Sequence, residues 1–418
     1  MRNRQAGVRF ILITVALDML ALGIIVPVIP KLVLQFLHGD MSESALIFGA
    51  FGTIFALMQL FFSPVLGMLS DRYGRRPIII LSNAGTAIDY LAWAIAPNFG
   101  WLFAARIVMG MTTSSVTTAY AYITDVTTPE KRAGAMGMVG AAFGIGFIIG
   151  PAIGGILGNV NVHLPFYVCA AMSFLNAAYG YFVLPESLAP HSRQDRMAWE
   201  RANPFGSLRM LRSHPELSRL ASINFIEYVA HEILPVVFTL YVIQRYHWNL
   251  AQVGWSLALV GASIAIVQMG LTQPIVRRLG ERRTMILGLC FGVLSFAVIG
   301  YAPNAPFVLA GFALLALWGL AGPTAQSLMT HRVSSTEQGE LQGALGGMRS
   351  LAMLIGPGLF SVIFAYSING RMHAWQVPGA SWFVAAAMLL ITVVLAFKVK
   401  DVRLQSGTAP NSIATQAV

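Results

Sequence analysis

The sequence predicts an all-α membrane protein of twelve transmembrane helices arranged as two pseudo-symmetric six-helix bundles. Three observations predict it. The 418 residues are 56% hydrophobic and 11% charged, with a mean hydropathy of +0.68, against about 25% charged residues in soluble domains. Apolar runs near the roughly 20 residues that one helical crossing needs recur twelve times along the chain. The chain also repeats weakly at an offset of 206 residues, which carries Gly74 onto Gly280, Gly140 onto Gly346, Gly150-Pro151 onto Gly356-Pro357, and Asp18 onto Asn224. A soluble multidomain enzyme and a secreted disulfide scaffold are excluded. Both cysteines, Cys169 and Cys290, fall inside apolar runs suited to packing.

The first span, expected near 9–30, carries Asp18 at its centre and has no small-residue cleavage site before Pro27 and Pro30, so it reads as a retained helix rather than a secretory signal. The second, 46–69, ends in a glycine-flanked basic loop. The third and fourth, 78–96 and 101–123, turn around Pro97-Asn98. The fifth, 133–158, is rich in glycine, and the sixth is 165–184. The polar interval 185–218 is a linker, whose Pro204–Arg212 stretch suits either a surface-lying helix or a plain tether. The seventh span, 219–243, holds Glu227, His231 and Glu232. The eighth, 252–272, precedes the Arg277–Arg283 loop, and the ninth to twelfth follow at 284–302, 305–328, 340–366 and 379–397. The bundles are therefore 1–184 and 219–400, and the polar tail 401–418 is expected to be disordered.

Alternating these spans places 22 of the 27 lysines and arginines on one side, with Lys31, Arg245 and Arg371 on the other. Cytoplasmic loops carry the Lys/Arg excess, so both termini are expected in the cytoplasm of a multi-pass inner (plasma) membrane protein. The net charge of +10 is then an orientation signal and not a nucleic-acid footprint.

The loop after the second span reads Gly67-Met68-Leu69-Ser70-Asp71-Arg72-Tyr73-Gly74-Arg75-Arg76-Pro77. Its acid and bases can pair across a seam that opens and closes. These eleven residues resemble the signature of the major facilitator superfamily. Span five, with Gly146, Gly150, Pro151, Gly154 and Gly155, resembles the antiporter motif of drug–proton exchangers in that superfamily, and small residues at such spacing let helices approach closely. Span one, from Leu17 through Asp18 to Pro30, is similar to that of the tetracycline-efflux branch. That likeness continues at Asp89-Tyr90, Arg106–Gly110, Ala121–Asp125, Leu184–Ser187, Arg278–Arg283 and Gly339–Gly343. It departs in the second half, where Leu287–Val293 lacks the ninth-helix acid of tetracycline exporters and Val260–Gln268 lacks their eighth-helix histidine. The resemblance implies drug–proton antiport by rocking bundles without specifying tetracycline. It also implies a gate in which Asp71 and Arg75, flanked by Gly67, Arg72, Gly74 and Arg76, join Asp125 and the positive start of helix eleven near Glu340.

Charges inside the bilayer cost about 2.5–3.5 kcal/mol each and need a partner or a purpose. Asp18 lies nine residues past Arg9, about 14 Å deep at 1.5 Å per residue. It is the leading proton carrier, because protonation removes the charge; a carboxylate held by neighbouring hydroxyls and amides is the plainer account. Asp89 and Arg106 stand equally far from the Pro97-Asn98 turn and can pair, either as a fixed structural bridge or as a tuner of proton coupling. Glu227 and His231 share a helix face. They suit a second protonation site, a grip on a cationic or metal-chelated substrate, or a self-satisfied pair, and are too few for a metal site. Gln59, Asn83, Asn224, Gln268 and Gln326 are candidate cavity residues or interhelical hydrogen-bonding groups. Arg349 either snorkels or faces the cavity as a counter-charge.

The chain carries no phosphate-binding loop and no nucleophile with a base at recognisable spacing, so neither ATP coupling nor enzyme chemistry is expected. The expected function is proton-coupled export of a lipophilic or amphiphilic drug by a monomer, with protons as coupling ion and no cofactor, the substrate arriving free or as a metal chelate. A small-metabolite exporter or symporter is the alternative, and a transport-incompetent receptor the remote one.

Overall fold

Proline, glycine and, at one break, a Thr-Ser pair stand where the apolar runs become separate helices. The computed structural model describes residues 2–189, 191, 193, 215–334, 337–369 and 377–399. The expected surface helix in 204–212 and the tail from 401 lie outside the described residues. The first half comprises α1 (Arg2–Ile25), α2 (Ile29–Phe36), α3 (Met41–Tyr73), α4 (Arg75–Ile95), α5 (Phe99–Thr112), α6 (Ser115–Val126), α7 (Pro129–Val160) and α8 (Leu164–Phe182). The second comprises α9 (Pro215–His231), α10 (Ile233–Tyr246), α11 (Leu250–Ile266), a π-helical turn (Val267–Leu271) leading into α12 (Thr272–Leu279), α13 (Glu281–Tyr301), α14 (Ala305–Trp318), α15 (Ala321–Thr330), α16 (Gln338–Ile368) and α17 (Ala380–Phe397).

These helices make six crossings in each half. Ten crossings are long and apolar enough to span a membrane by those measures alone. The other two are the divided α5–α6 pair and α8, whose Asn176 and three tyrosines lower its hydropathy. Outward faces are apolar, as at Phe182, Met269 and Phe174. Cys169 is buried with its Sγ 3.4 Å from the Ala21 carbonyl oxygen, whereas Cys290 is exposed and so departs from the expected packing role.

Crossings one, four, seven and ten, expected as continuous helices, are each broken. The first breaks at Val26–Val28, which contains Pro27 and precedes Pro30 in the first turn of α2; proline lacks the donor a helix interior needs. The fourth breaks at Thr113-Ser114, the seventh at Glu232 three residues before Pro235, and the tenth at Gly319-Leu320 before Pro323. Hydroxyls replace some of the lost helix bonds at the fourth: Thr113 donates to the Met109 carbonyl at 2.7 Å, and the Ser114 N–H donates to Ser82 Oγ at 2.7 Å. The offset of 206 carries the first break onto the seventh and the fourth onto the tenth. It also carries Asn98, the N-cap of α5, onto Asn304, the N-cap of α14. Gly74 and Gly280, at φ 107° and 81°, start α4 and α13 in the same left-handed conformation. Non-helical backbone at membrane depth survives where protein buries it or where it lines a cavity; at these breaks Val28, Ser114 and Leu320 are buried in protein.

The halves meet along two seams, α7 against α11 and α3 against α16. Far from the arginine-rich face both are tight: a Cβ added to Gly155 would lie 2.9 Å from Gly254 Cα, and one added to Gly52 would lie 2.9 Å from Pro357 Cβ. Toward the arginine-rich face, Gly134, Gly137, Gly140 and Gly144 of α7 and Gly339 and Gly346 of α16 all have open space beside them. The cleft is therefore open at the arginine-rich face and closed at the opposite one.

Candidate transport site

Four crossings of the first half converge on Asp18. Asn176 of α8 donates to its Oδ1 at 2.8 Å and to the Thr14 carbonyl at 3.0 Å. Asn83 of α4, with its amide oriented to satisfy its surroundings, donates to both Asp18 oxygens at 3.1 and 3.2 Å and accepts from Asn176 at 3.2 Å. Ser115, at the start of α6, adds a hydroxyl. Among the described residues every partner of Asp18 is uncharged. Asn83 is thus a buried member of this group and not a cavity-wall residue. Asn176 escaped the sequence reading, although an amide in an apolar run is the same signal that singled out Asn83.

Asp89 and Arg106 do meet, with Arg106 Nη2 3.7 Å from Asp89 Oδ2. Asp89 is fully buried, and the guanidinium stacks over Trp93 at 4.5 Å. The separation exceeds hydrogen-bond length, so the attraction is charge to charge, reinforced by the ring face. The buried Tyr90 phenol lies within electrostatic range of Asp18, Asp89 and Arg106.

At the arginine-rich face, Arg75 pairs with Asp71 on one side and with Asp125 Oδ2 at 3.1 Å on the other, and donates to Ser70 Oγ at 3.2 Å. Glu186, immediately after α8, caps α4: it accepts from the backbone N–H of Arg75 at 2.8 Å and of Arg76 at 3.2 Å, and from Leu188 at 3.0 Å. Ser187 donates to Asp125 at 2.9 Å. The start of the linker therefore packs onto the first bundle, beyond the expected boundary at 184. Arg76 donates to the Gly180 carbonyl at 3.2 Å and to that of Tyr181, while Arg72 lies 5.4 Å over the ring of Tyr73. The expected link to helix eleven is not made in this arrangement. Among the described residues Asp71 has no polar contact with α16, and Gly67 and Gly339 face open space. Across the repeat the charges invert: Glu281 stands for Arg75 and His331 for Asp125, with His331 Nδ1 3.4 Å from Glu281 Oε2 and Ser327 donating to Glu281 at 2.5 Å.

The span-five motif divides its surface. Gly146, Gly150 and Gly154 lie against Met19, Gly23 and Ile24 of α1, while Pro151 and Gly155 lie against Gly254 of α11. One stripe packs the first bundle and the other forms the seam between halves.

In the second half Glu227 is buried with Oε2 unpartnered, beside the Trp318 indole. His231 is exposed at mid-span, with its ring 5.7 Å from that of Trp318. The two share a neighbour and do not bond to each other. Asn224 is buried beside Tyr228. Gln59 is half-buried, its backbone close to Gly110 of α5. Gln268 is exposed in the π-helical turn, and Gln326 donates to Gln342 at 3.2 Å toward the arginine-rich face. Among the described residues no group of three or more metal-ligating side chains forms.

Two six-helix halves related by repeat, broken crossings in both halves, seams that part toward one face, and buried acids at mid-span define a secondary transporter. The family model of the Major Facilitator Superfamily matches twice, over residues 11–222 and 220–414. The chain belongs to that superfamily. It is 35% identical to the class C tetracycline resistance protein of Escherichia coli, over 91% of this chain and 94% of that protein. It is also 35% identical to the class G tetracycline resistance protein of Vibrio anguillarum, over the same shares of each. The solved nucleoside transporter NupG shares the fold, with a TM-score of 0.71 at 14% identity over 94% of this chain and 98% of that one.

Proposed function

We propose that the protein is a proton-coupled drug efflux antiporter of the inner membrane, working as a monomer by alternating access, with both termini in the cytoplasm and no cofactor beyond the coupling proton. The observation that carries this is Asp18, a mid-span carboxyl whose partners among the described residues are all uncharged. Amide and hydroxyl partners accommodate both the ionised and the protonated acid, whereas an arginine partner would oppose protonation. A proton can therefore be taken up and released there without breaking an ion pair. Asp89, held by Arg106, adjusts the field around it.

With the arginine-rich face cytoplasmic, the cleft opens to the side from which an exporter loads. The similarity to tetracycline resistance proteins supports a lipophilic or amphiphilic drug as substrate. The absence of an acid from Leu287 to Val293, together with the ionisable groups Glu227, His231 and Arg349 in the second half, favours as second reading the export of a small metabolite on the same scaffold. The test is uptake of a panel of lipophilic drugs, tetracycline included, into inside-out vesicles under an imposed pH gradient. Gradient-dependent accumulation of at least one drug is expected. No such accumulation, with no proton release on adding any panel member, contradicts the proposal.

A further inference from the structure

The geometry points to a substrate that carries an acidic group, received in the central cleft by Arg349. The transported molecule is then an organic anion with an apolar or aromatic body. This rests on the transport reading above and narrows its substrate class.

Arg349 lies near the middle of α16, is exposed, and makes no hydrogen bond or ion pair with any described residue. The other mid-span arginine, Arg106, has Asp89 and Trp93. The surroundings of Arg349 fix which way it faces. Tyr120 of α6 in the first half and Tyr228, His231 and Glu232 of the second lie within electrostatic range of it. A position between the halves brings both sets within its range.

Glu232 lies within its electrostatic range but forms no salt bridge with it. Glu232, at the break of the seventh crossing, packs on Gly356, where an added Cβ would lie 2.6 Å from Glu232 Cγ. Gly356 is seven residues beyond Arg349, two turns along the same helix face and about 10 Å away at 1.5 Å per residue. Glu232 thus sits deeper, toward the closed face, and Arg349 nearer the open one. Glu227, the other acid of that crossing, is buried against Trp318. A guanidinium that is exposed, within electrostatic range of the two tyrosines and without a carboxylate partner among the described residues, suits a carboxylate, sulfonate or enolate on an entering molecule. Tyr120 and Tyr228 supply ring faces for its body and hydroxyl donors for its acid.

The experiment is equilibrium binding to the purified full-length protein in lipid nanodiscs, with empty nanodiscs subtracted. The probes are 8-anilinonaphthalene-1-sulfonate and its uncharged parent, N-phenyl-1-naphthylamine. Wild type is expected to bind the sulfonate saturably. Arg349→Gln should weaken that binding about tenfold or more, Arg349→Lys distinctly less, and neither should move the affinity for the parent more than about twofold. The parent's unchanged affinity also reports that each variant is folded; if Arg349→Gln fails to fold, the ratio of sulfonate to parent affinity in Arg349→Lys takes its place and should fall. Three results overturn the inference: no saturable sulfonate component in wild type, equal sulfonate affinity in the folded Arg349 variant, or recovery of sulfonate binding in Glu232→Gln/Arg349→Gln, which would make Arg349 a counter-ion for Glu232. No gradient is needed, so loss of proton coupling and loss of anion recognition are read separately.

Discussion

Replacing Gly254 with alanine tests whether the tight seam between α7 and α11 belongs to one transport state. A Cβ at Gly254 would lie 2.9 Å from Gly155 Cα and 3.1 Å from the Pro151 carbonyl carbon, and closer still to the carbonyl oxygen. Relaxed carbon contacts need about 3.5–4.0 Å. Each obstacle is backbone of a long helix, so the helices must separate by roughly 0.5–1 Å, an overpacking that costs about 1–3 kcal/mol. Because the seam parts when the cleft opens at this face, only the closed-face state bears that cost. At about 1.4 kcal/mol per tenfold, the balance moves away from the present arrangement by about 5- to 150-fold. Asn159 lines a small cavity at this face together with Lys31 and Trp248. Placed there in a Cys169→Ala/Cys290→Ser background, a cysteine should react at least about fivefold faster with a membrane-impermeant maleimide when Gly254→Ala is present. An unchanged rate in a folded variant refutes the seam as a state-specific lock.

Arg106→Ala leaves Asp89 buried without a counter-charge, a change that costs about 3–5 kcal/mol; Asp89→Asn/Arg106→Gln should recover most of the loss in detergent melting temperature, and a double variant no more stable than Arg106→Ala would show that the pair is not the stabilising unit. Glu186→Ala removes the acceptor of two α4 amides at about 0.5–2 kcal/mol, so hydrogen exchange at Arg75 and Arg76 should quicken while that of α13 stays the same. Gly74→Ala should destabilise more than Gly280→Ala: both have positive φ, but only Gly74 faces Glu186 at contact distance, with Cδ 2.6 Å from an added Cβ. Equal losses of melting temperature would remove Glu186 from that comparison.

The twelve crossings and the arginine-rich face were legible because hydropathy and charge are additive along a chain and need no tertiary information. Asp89 and Arg106 were legible because one turn fixes the register of a helical hairpin. The breaks were half-visible: Pro27, Pro235 and Pro323 mark three of them, and the offset of 206 carries Thr113 onto Gly319, but the repeat alone does not say which crossings bend. The cap on α4 was not legible, since Glu186 lies more than a hundred residues beyond the amides it serves. Nor was the state of the cleft, which depends on which glycine faces touch, and the same Gly-rich pattern serves both the α1 contact and the α11 seam.

The central claim is that Asp18 carries the coupling proton. It is tested most directly by proteoliposomes holding the purified protein and a pH-sensitive dye, to which a drug identified in the vesicle panel is added. Wild type should move protons against the drug, and Asp18→Asn should abolish that flux while the drug still binds within about threefold of the wild-type affinity. Drug-driven proton flux of undiminished size in Asp18→Asn would contradict the account.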